Sequence, residues 1–297
     1  MFSQPIDSAL AYQVEHAAAL IEQAQALIVC AGAGMGVDSG LPDFRGKEGF
    51  WNAYPALREA QIEFYKIASP SAFRSSPERA WGFYGHRLTL YRRTLPHLGF
   101  NLLRHWGERM LHGASVFTSN VDGHFQKAGF DPHRIHECHG SIHHLQCLES
   151  CDQSIWPADD FIPDVDEHAC RLRNHAPACP HCGGLARPNI LMFGDWGWQQ
   201  RRAAAQASAQ EAWLSSLSRP VVIEIGAGTA IPSVRSFSQR VIHEFDGRLI
   251  RINPTEHRVP TSLDVGLPVG AAAGLAAIAS ALGGEWNVLP HGQKCSG

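Results

Sequence analysis

The chain has 297 residues, of which 44% are hydrophobic and 18% are charged, so one large globular domain or two unequal ones are expected. A net charge of −3 excludes a strong electrostatic footprint for nucleic acid or an anionic membrane. The N-terminal residues carry neither the basic nor the apolar segment of a signal peptide, and the apolar stretch at 265–282 predicts a buried helix. We therefore expect a cytoplasmic protein without nucleic-acid or membrane partners.

The first predicted elements lead into a glycine-rich loop. Residues 8–26 have apolar side chains at helical spacing, and residues 26–30 form a short apolar run typical of a buried strand. Glycine then recurs at positions 32, 34, 36 and 40. Because glycine lacks a Cβ, backbone amides in such a loop can close on the phosphates of a ligand, although an ordinary glycine turn would have the same pattern. A strand followed by this loop favours a dinucleotide site at Gly32, Ala33 and Gly34.

The loop continues as Ser39-Gly40-Leu41-Pro42-Asp43-Phe44-Arg45. With the preceding glycines, this string resembles the signature of the sirtuins, the NAD-dependent protein-lysine deacylases, which reads Gly-Ala-Gly-x-Ser-x-x-Ser-Gly-Ile-Pro-Asp-Phe-Arg. Gly36 stands where the family has its first serine, and Leu41 replaces isoleucine. The resemblance implies that Asp43, Phe44 and Arg45 take part in NAD binding.

Residues 47–95 are predicted to be a helical insertion with a long helix from Pro77 to Arg93. Tyr84 and Arg87 lie three positions apart, on one face of that helix. By spacing alone, they fit a surface arginine packed on an aromatic ring. The segment also resembles the sirtuin subclass that removes succinyl and malonyl groups, in which a Phe-Tyr-x-x-Arg sequence binds the acyl carboxylate. The resemblance implies that Tyr84 and Arg87 recognise an acidic acyl group, and the planar guanidinium suits a carboxylate.

A predicted helix at 98–112 and a strand at 114–118 precede Ser119-Asn120-Val121-Asp122-Gly123. Sirtuins have Thr-Gln-Asn-Ile-Asp-Gly at this place. The resemblance implies that Asn120 contacts the nicotinamide ribose and that Asp122 holds the carboxamide, with Ser119 in place of a glutamine that helps to position the ribose. A plain turn after a strand is the alternative interpretation.

His139 stands in the sequence Glu137-Cys138-His139-Gly140-Ser141, which resembles the Glu-x-His-Gly-Ser segment that carries the general base of sirtuins. An imidazole with a pKa near neutrality suits proton removal at physiological pH. We therefore expect His139 to be the catalytic base.

Two close cysteine pairs follow, Cys147-x3-Cys151 and Cys179-x2-Cys182. Four thiolates with this spacing can surround Zn²⁺ tetrahedrally, and a site closed by four protein ligands is structural. Disulfides are the alternative, but they would need an oxidising compartment. Cys138, Cys170 and His181 are weaker ligand candidates.

The remaining strands are predicted at 189–193, 221–225 and 249–252, with helices at 200–217 and 271–282. Residues 188–195 resemble the sirtuin Pro-x-Ile-Val-x-Phe-Gly-Glu strand, which implies peptide binding at Phe193 and Gly194, with Asp195 in place of glutamate. The resemblance also assigns the adenosine side of NAD to four residues after the next two strands. These are Gly226, Gly228, Thr229 and Asn253.

Strands that alternate with helices predict an α/β fold with a doubly wound, parallel, Rossmann-like sheet. We expect residues 1–46, 96–140 and 188–297 to form the NAD-binding domain, and residues 47–95 and 141–187 to form a smaller helical and zinc-binding lobe. The resemblance implies that an acyl-lysine protein or peptide is deacylated, with NAD consumed to nicotinamide and O-acyl-ADP-ribose. An NAD glycohydrolase or ADP-ribosyltransferase, or a non-catalytic nucleotide sensor, is the alternative on the same fold.

Overall fold

The computed structural model describes residues 8–42 and 47–287. Its helices are α1 (Ser8–Gln23), α2 (Gly34–Val37), α3 (Lys47–Ala53), α4 (Pro55–Glu59), α5 (Phe64–Ile67), α6 (Pro70–Ser75), α7 (Pro77–Arg93), α8 (Leu98–Arg109), α9 (His124–Lys127), α10 (Arg201–Leu214), α11 (Ser233–Glu244) and α12 (Ala271–Leu282). Its strands are β1 (Leu27–Ala31), β2 (Ala114–Thr118), β3 (Ile135–Glu137), β4 (Gly140–Cys147), β5 (Ile155–Pro157), β6 (Val165–Asp166), β7 (Arg171–Leu172), β8 (Ala186–Ile190), β9 (Val221–Ile225), β10 (Arg248–Ile252) and β11 (Val265–Leu267).

Six strands form one parallel sheet in the order β11-β10-β9-β1-β2-β3. The chain builds outward from β1 through β2 to β3, and then crosses to β9 and builds outward on the other side. The direction of winding therefore reverses between β1 and β9, which is the topological switch point of a doubly wound sheet. The predicted fold class is confirmed.

Helices cover both faces of this sheet, which is why its central strands are continuous apolar runs. All residues of β1 are buried, and alternate side chains enter different clusters: Leu27 packs with α1, α8 and α12, whereas Ile28 packs with α10 and α11. On the second face, the ring of Phe117 stacks on that of Phe237 with 3.9 Å between centroids. The period of two along β1 explains how one short strand serves two cores.

A second, three-stranded sheet has the order β5-β4-β8, and both of its pairings are antiparallel. The prediction of a strand at 189–193 within the parallel sheet is therefore wrong. The strand β8 ends at Ile190 and pairs with β4. Because β4 and β8 are the outgoing and returning ends of one excursion from the parallel sheet, they run in opposite directions.

The helices α3 to α7 confirm the prediction of a helical insertion after the glycine loop. They pack around a third hydrophobic cluster, in which Trp81 and Leu88 of α7 meet Ile142 and Leu145 of β4. This cluster joins the helical segment to the three-stranded sheet. We propose on this basis that residues 47–95 and 141–187 form one lobe.

Several other elements differ from the sequence prediction. The apolar stretch at 265–282 is not one helix, because β11 occupies its start and α12 begins only after Pro268 and Gly270. The strand β3 and the helix α11 were not predicted. No helix in the described ranges combines the length and the apolar character that crossing a membrane requires.

Candidate active site

Two glycine loops meet at the carboxyl ends of β1 and β9. The N–H of Gly32 donates to the carbonyl of Ile225 at 2.9 Å, and the N–H of Gly34 donates to that of Gly226 at 3.1 Å. A Cβ on Gly226 would stand 2.4 Å from the Cα of Gly34, and Gly226 has a φ of +61°. Glycine is therefore required here so that two backbones can touch at the switch point.

The other predicted residues of these loops are placed as follows. Ala33 and Thr229 are exposed, and Gly228 is partly buried. We call the region where these two loops and the turn after β2 come together the crevice. The predicted NAD-binding residues Asp43, Phe44 and Arg45 lie outside the described residues.

The side-chain polar atoms of Asn253 form hydrogen bonds within the protein. Its Nδ2 donates to the carbonyl of Ala227 at 2.9 Å, and its Oδ1 accepts the N–H groups of Thr255 and Glu256. The side chain thus ties the loop after β10 to the loop after β9.

The end of β2 is held against the first glycine loop. The Ser119 N–H donates to the carbonyl of Ala31 at 3.2 Å, and the Asn120 Nδ2 donates to that of Gly32 at 2.9 Å. Thr118 reinforces the turn by donating its hydroxyl to Ala31 and accepting the N–H of Asn120. Asn120 is therefore fixed at the edge of the same crevice.

His139 lies between this turn and the start of α11. Its Nε2 is 3.2 Å from the hydroxyl of Ser233, and its ring also hydrogen-bonds to the backbone of Ser119. Burial lowers the pKa of His139, and the bond to Ser119 opposes this change. Because the contact uses the backbone of Ser119, it does not depend on which side chain occupies that position.

Asp122 is buried, with its Oδ1 accepting the N–H of His124 at 2.9 Å. Burial raises the pKa of the Asp122 carboxyl, while the bond from His124 and the nearby side chains of His143 and Arg87 lower it. The charge of Arg87 therefore acts on Asp122, the residue that the resemblance assigns to binding of the nicotinamide carboxamide.

Tyr84 and Arg87 lie inside the protein rather than on the surface of α7. The guanidinium of Arg87 is 5.2 Å from the ring centroid of Phe83 and 5.7 Å from that of Tyr84. Burial raises the pKa of Tyr84 to about 12, so its hydroxyl is a proton donor at neutral pH. The interpretation as a surface arginine is wrong, because Arg87 is only 8% exposed.

Tyr91 was missed by the sequence analysis. The Nε and Nη2 atoms of Arg87 both donate to the hydroxyl of Tyr91, at 3.0 and 2.7 Å. Tyr91 is one helical turn after Arg87 on α7, so the spacing of four residues was the available signal. Ser233 was also missed, and no local pattern links it to His139.

Phe193 and Gly194 follow β8 and are exposed. The N–H of Phe193 donates to the carbonyl of Ala68 at 3.0 Å, and its ring meets that of Phe64 edge-on. Behind this segment, Arg187 donates to Asp195 at 2.8 Å, and both side chains are fully buried. This ion pair fixes the turn that presents Phe193 and Gly194.

Four cysteines form a compact cluster at the far end of the three-stranded sheet. The Sγ atoms of Cys147, Cys151, Cys179 and Cys182 all lie within 4.8 Å of one another. The Cys147–Cys182 and Cys151–Cys179 separations are 3.7 and 3.6 Å. Tetrahedral Zn–S bonds of about 2.3 Å place the sulfurs about 3.8 Å apart, whereas a disulfide needs about 2.05 Å. The cluster fits zinc, and no disulfide links the cysteines within the described residues.

The three weaker ligand candidates do not belong to this cluster. Cys138 and Cys170 lie elsewhere, and burial raises the pKa of each thiol to about 12. His181 stands beside the cluster but pairs with Asp152, with 3.0 Å between Nε2 and Oδ2.

A sequence model described as the Sir2 family matches residues 32–215 of this chain. The NAD-dependent protein deacetylase of Shouchella clausii is 31% identical over 244 residues, which cover 82% of this chain and 89% of that protein. The NAD-dependent protein deacylase of Thermococcus kodakarensis is 28% identical over 253 residues, 84% of this chain and 88% of that protein.

Solved structures share the fold. A Sir2 homologue in complex with NAD has a TM-score of 0.65 at 24% identity, over 95% of this chain and 98% of that chain. A mutant Sir2 homologue in complex with ADP-ribose has a TM-score of 0.66 at 23% identity, over 93% of this chain and 96% of that chain.

Proposed function

This chain belongs to the Sir2 family, and we propose on that premise that it is an NAD-dependent deacylase of protein lysines. The curated relatives are named for this activity, and they align over most of the chain. The observation that carries the proposal is the position of His139. Its imidazole bonds to the backbone of Ser119, and the amide of the adjacent Asn120 bonds to the glycine loop. A candidate base and a candidate nucleotide loop therefore share one crevice.

The crevice suits NAD for reasons of topology and backbone. It lies at the switch point of a doubly wound sheet, where such folds bind ligands at the carboxyl ends of strands. A Cβ on Gly226 would stand 2.4 Å from the Cα of Gly34, and a Cβ on Gly32 would stand 2.7 Å from the carbonyl oxygen of Gly226, so both loops present bare backbone there. NAD supplies, when bound, the glycosidic bond whose cleavage releases nicotinamide.

In this proposal, each residue of the crevice has one task. His139 accepts a proton, since a lowered pKa keeps its imidazole neutral at pH 7. Asn120 orients the nicotinamide ribose, and Asp122 binds the carboxamide. Gly226, Gly228, Thr229 and Asn253 shape the adenosine side, where Asn253 acts by holding the loops together.

Zinc, when bound, would be held by Cys147, Cys151, Cys179 and Cys182. Its role there would be to stabilise the lobe. Four thiolates leave no open position for water, so the site is structural. The strand β4 has eight residues and separates His139 from Cys147, which places the metal on the order of 20 Å from the base. Free thiols also agree with the reducing cytoplasm as the compartment.

The acyl preference is a finer proposal. We infer that Tyr84 and Arg87 bind the carboxylate of a succinyl or malonyl group. A buried guanidinium ringed by aromatic side chains is a strong site for an anion, because little water competes for it. The charge of Arg87 lowers the pKa of the Asp122 carboxyl, which supports a position towards the nicotinamide end of the crevice.

Nicotinamide release from NAD tests the proposal, with matched acetyl-lysine, succinyl-lysine and malonyl-lysine peptides. We expect release that depends on peptide, and its loss by about 100-fold or more in His139→Ala while NAD still binds. Release of free ADP-ribose without peptide would favour the glycohydrolase alternative. Tight NAD binding without any nicotinamide release would favour a sensor.

A further inference from the structure

A groove of about 540 Å³ opens beside the segment assigned to peptide binding. We call it the cationic groove. The residues that line it include Lys66, Ser71, Ser76, Arg79, Phe193 and Gly194. None of the described residues that line it is acidic. The chain as a whole has a net charge of −3, whereas this groove is lined only by cations and neutral groups and is therefore locally positive.

Neither cation in the groove is neutralised within the described residues. No carboxylate of that part of the chain pairs with Lys66 or Arg79, whereas Arg74 on the neighbouring helix α6 pairs with Glu149 at 2.9 Å. The ammonium of Lys66 stands 6.0 Å from the ring centroid of Tyr65. The nearest acidic residue in sequence, Glu63, is hydrogen-bonded to the side chain of Tyr65. Lys66 and Arg79 are therefore available to an external anion.

Polar donors accompany the two cations. Ser76 precedes α7, a helix of 17 residues, and its hydroxyl makes no capping bond to that helix. Arg79 lies in the first turn of α7, where the helix dipole adds to its positive charge. Glu78 of the same turn lines a different cavity together with Arg171. The end of α7 that faces the groove thus favours negative charge.

The groove is continuous with the exposed segment at Phe193 and Gly194. The N–H groups of Leu191 and Phe193 are used internally, by the carbonyls of His139 and Ala68. Gly194 is exposed, and a Cβ built on it meets nothing within 4 Å. An extended peptide paired along this segment advances about 3.3 Å per residue. A side chain within about three residues of the acyl-lysine therefore reaches the groove.

We infer that the cationic groove binds an acidic side chain of the substrate polypeptide close to the acyl-lysine. The inference rests on the proposed function, and it adds a substrate class: acyl-lysines with Asp or Glu nearby. Lys66 and Arg79 supply the charge, and Ser71 and Ser76 supply hydroxyl donors. Such recognition is independent of the acyl group.

The test uses acetyl-lysine peptides, so that the acyl group itself carries no charge. In one series, a single Asp replaces Asn at each of about three positions on either side of the acyl-lysine. For the wild-type protein, we expect kcat/KM to be about fivefold higher with Asp at the position that reaches the groove, mainly through KM, as two partly exposed ion pairs allow. The preference should fade at high salt because the groove is open to solvent.

The double variant Lys66→Gln and Arg79→Gln should bring the Asp to Asn ratio close to one. The matched control Arg74→Gln removes a nearby arginine that is already paired and should keep the wild-type ratio. Equal kcat/KM for every Asp and Asn pair, or a ratio that survives the double variant, would overturn the inference. If no peptide is turned over, the proposed function fails, and the same peptide series read by fluorescence anisotropy still tests the groove.

Discussion

The protonation of His139 is set by burial and by the backbone of Ser119. Burial lowers its pKa, and the hydrogen bond to the Ser119 backbone only partly opposes the change. A base with a lowered pKa is deprotonated at pH 7 and becomes protonated only in more acidic solution. We predict that kcat/KM rises with pH through a pKa below 6.5 and then stays level up to pH 8. Nicotinamide release measured over a series of pH values gives this dependence of kcat/KM on pH.

His136→Gln is the control for this pH profile. Burial also lowers the pKa of His136, but its ring bonds to Gln210 rather than to the crevice. The acidic limb should persist in that variant. An acidic limb that lies above pH 7 in the wild type would contradict a base whose pKa is lowered.

Arg87 decides the predicted acyl preference. We predict that Arg87→Met lowers kcat/KM for a succinyl-lysine peptide by roughly tenfold to a hundredfold, as the loss of a charge-assisted hydrogen bond implies. The acetyl-lysine peptide should lose less than about threefold, because methionine retains most of the packing volume. Steady-state kinetics on both peptides measure the difference.

Tyr91→Phe separates the charge of Arg87 from its orientation. The variant removes the hydroxyl that accepts from Nε and Nη2 of Arg87 but keeps the guanidinium. We expect a smaller loss on the succinyl peptide than in Arg87→Met. Equal losses on acetyl and succinyl peptides in Arg87→Met would remove the assignment.

Single residues were predictable where the pattern was local. The glycine loop, the histidine at 139 and the cysteine pairs lie in short local strings, so resemblance and spacing pointed to them. The structure brings the four cysteines together, and the roles of the glycine loop and His139 stay predictions. The bond from His139 to Ser233 and the buried pair of Arg187 with Asp195 join distant or unremarkable positions. Such pairings depend on how the elements are arranged in space, and the sequence at either position carries no sign of them.

At the scale of elements, the contact between the loops after β1 and β9 is a steric requirement. We predict that Gly226→Ala destabilises the fold by more than about 2 kcal/mol and weakens NAD binding, because a Cβ would stand 2.4 Å from the Cα of Gly34. Chemical denaturation and NAD titration measure the two effects.

Gly113→Ala is the matched control for the loop contact. Gly113 has a φ of +75°, close to the +61° of Gly226, but nothing lies within 4 Å of its added Cβ. This variant should carry only the cost of the left-handed conformation, about 1 kcal/mol, with NAD affinity unchanged. Similar losses in both variants would show that backbone conformation, and not the loop contact, limits substitution.

Elements were predictable in proportion to their length and their burial. The strands β1, β2, β9 and β10 are apolar runs flanked by turns, and the prediction placed each of them within about a residue. The strand β11 has only three residues and merges with an apolar helix, so hydrophobicity alone does not separate them. The strand β8 was found but was assigned to the wrong sheet, because a local pattern does not specify a partner strand.

At the scale of the whole molecule, β4 connects the candidate active site to the cysteine cluster. It begins directly after His139, ends at Cys147, and packs against α7 through Ile142 and Leu145. The lobe that it enters has the third hydrophobic cluster around α7, but its strands β5, β6 and β7 have only two or three residues each. We therefore expect these short strands to depend on the metal cluster. The six-stranded sheet has two separate hydrophobic clusters of its own. The two parts should therefore respond differently to loss of zinc.

We predict that zinc removal abolishes deacylation but leaves the six-stranded sheet folded. Structural zinc contributes about 10–16 kcal/mol in small sites, comparable to the total stability of a domain, so the short strands of the lobe should lose their order without it. Hydrogen exchange should speed up in β5, β6 and β7 after chelation, while β1 and β9 stay protected and ADP-ribose still binds. Cys179→Ala should reproduce this behaviour, whereas Cys170→Ala, a buried cysteine outside the cluster, should keep its zinc and its turnover. Deacylation that persists without metal, or exchange that accelerates equally in β1, would contradict a bracing role confined to one lobe.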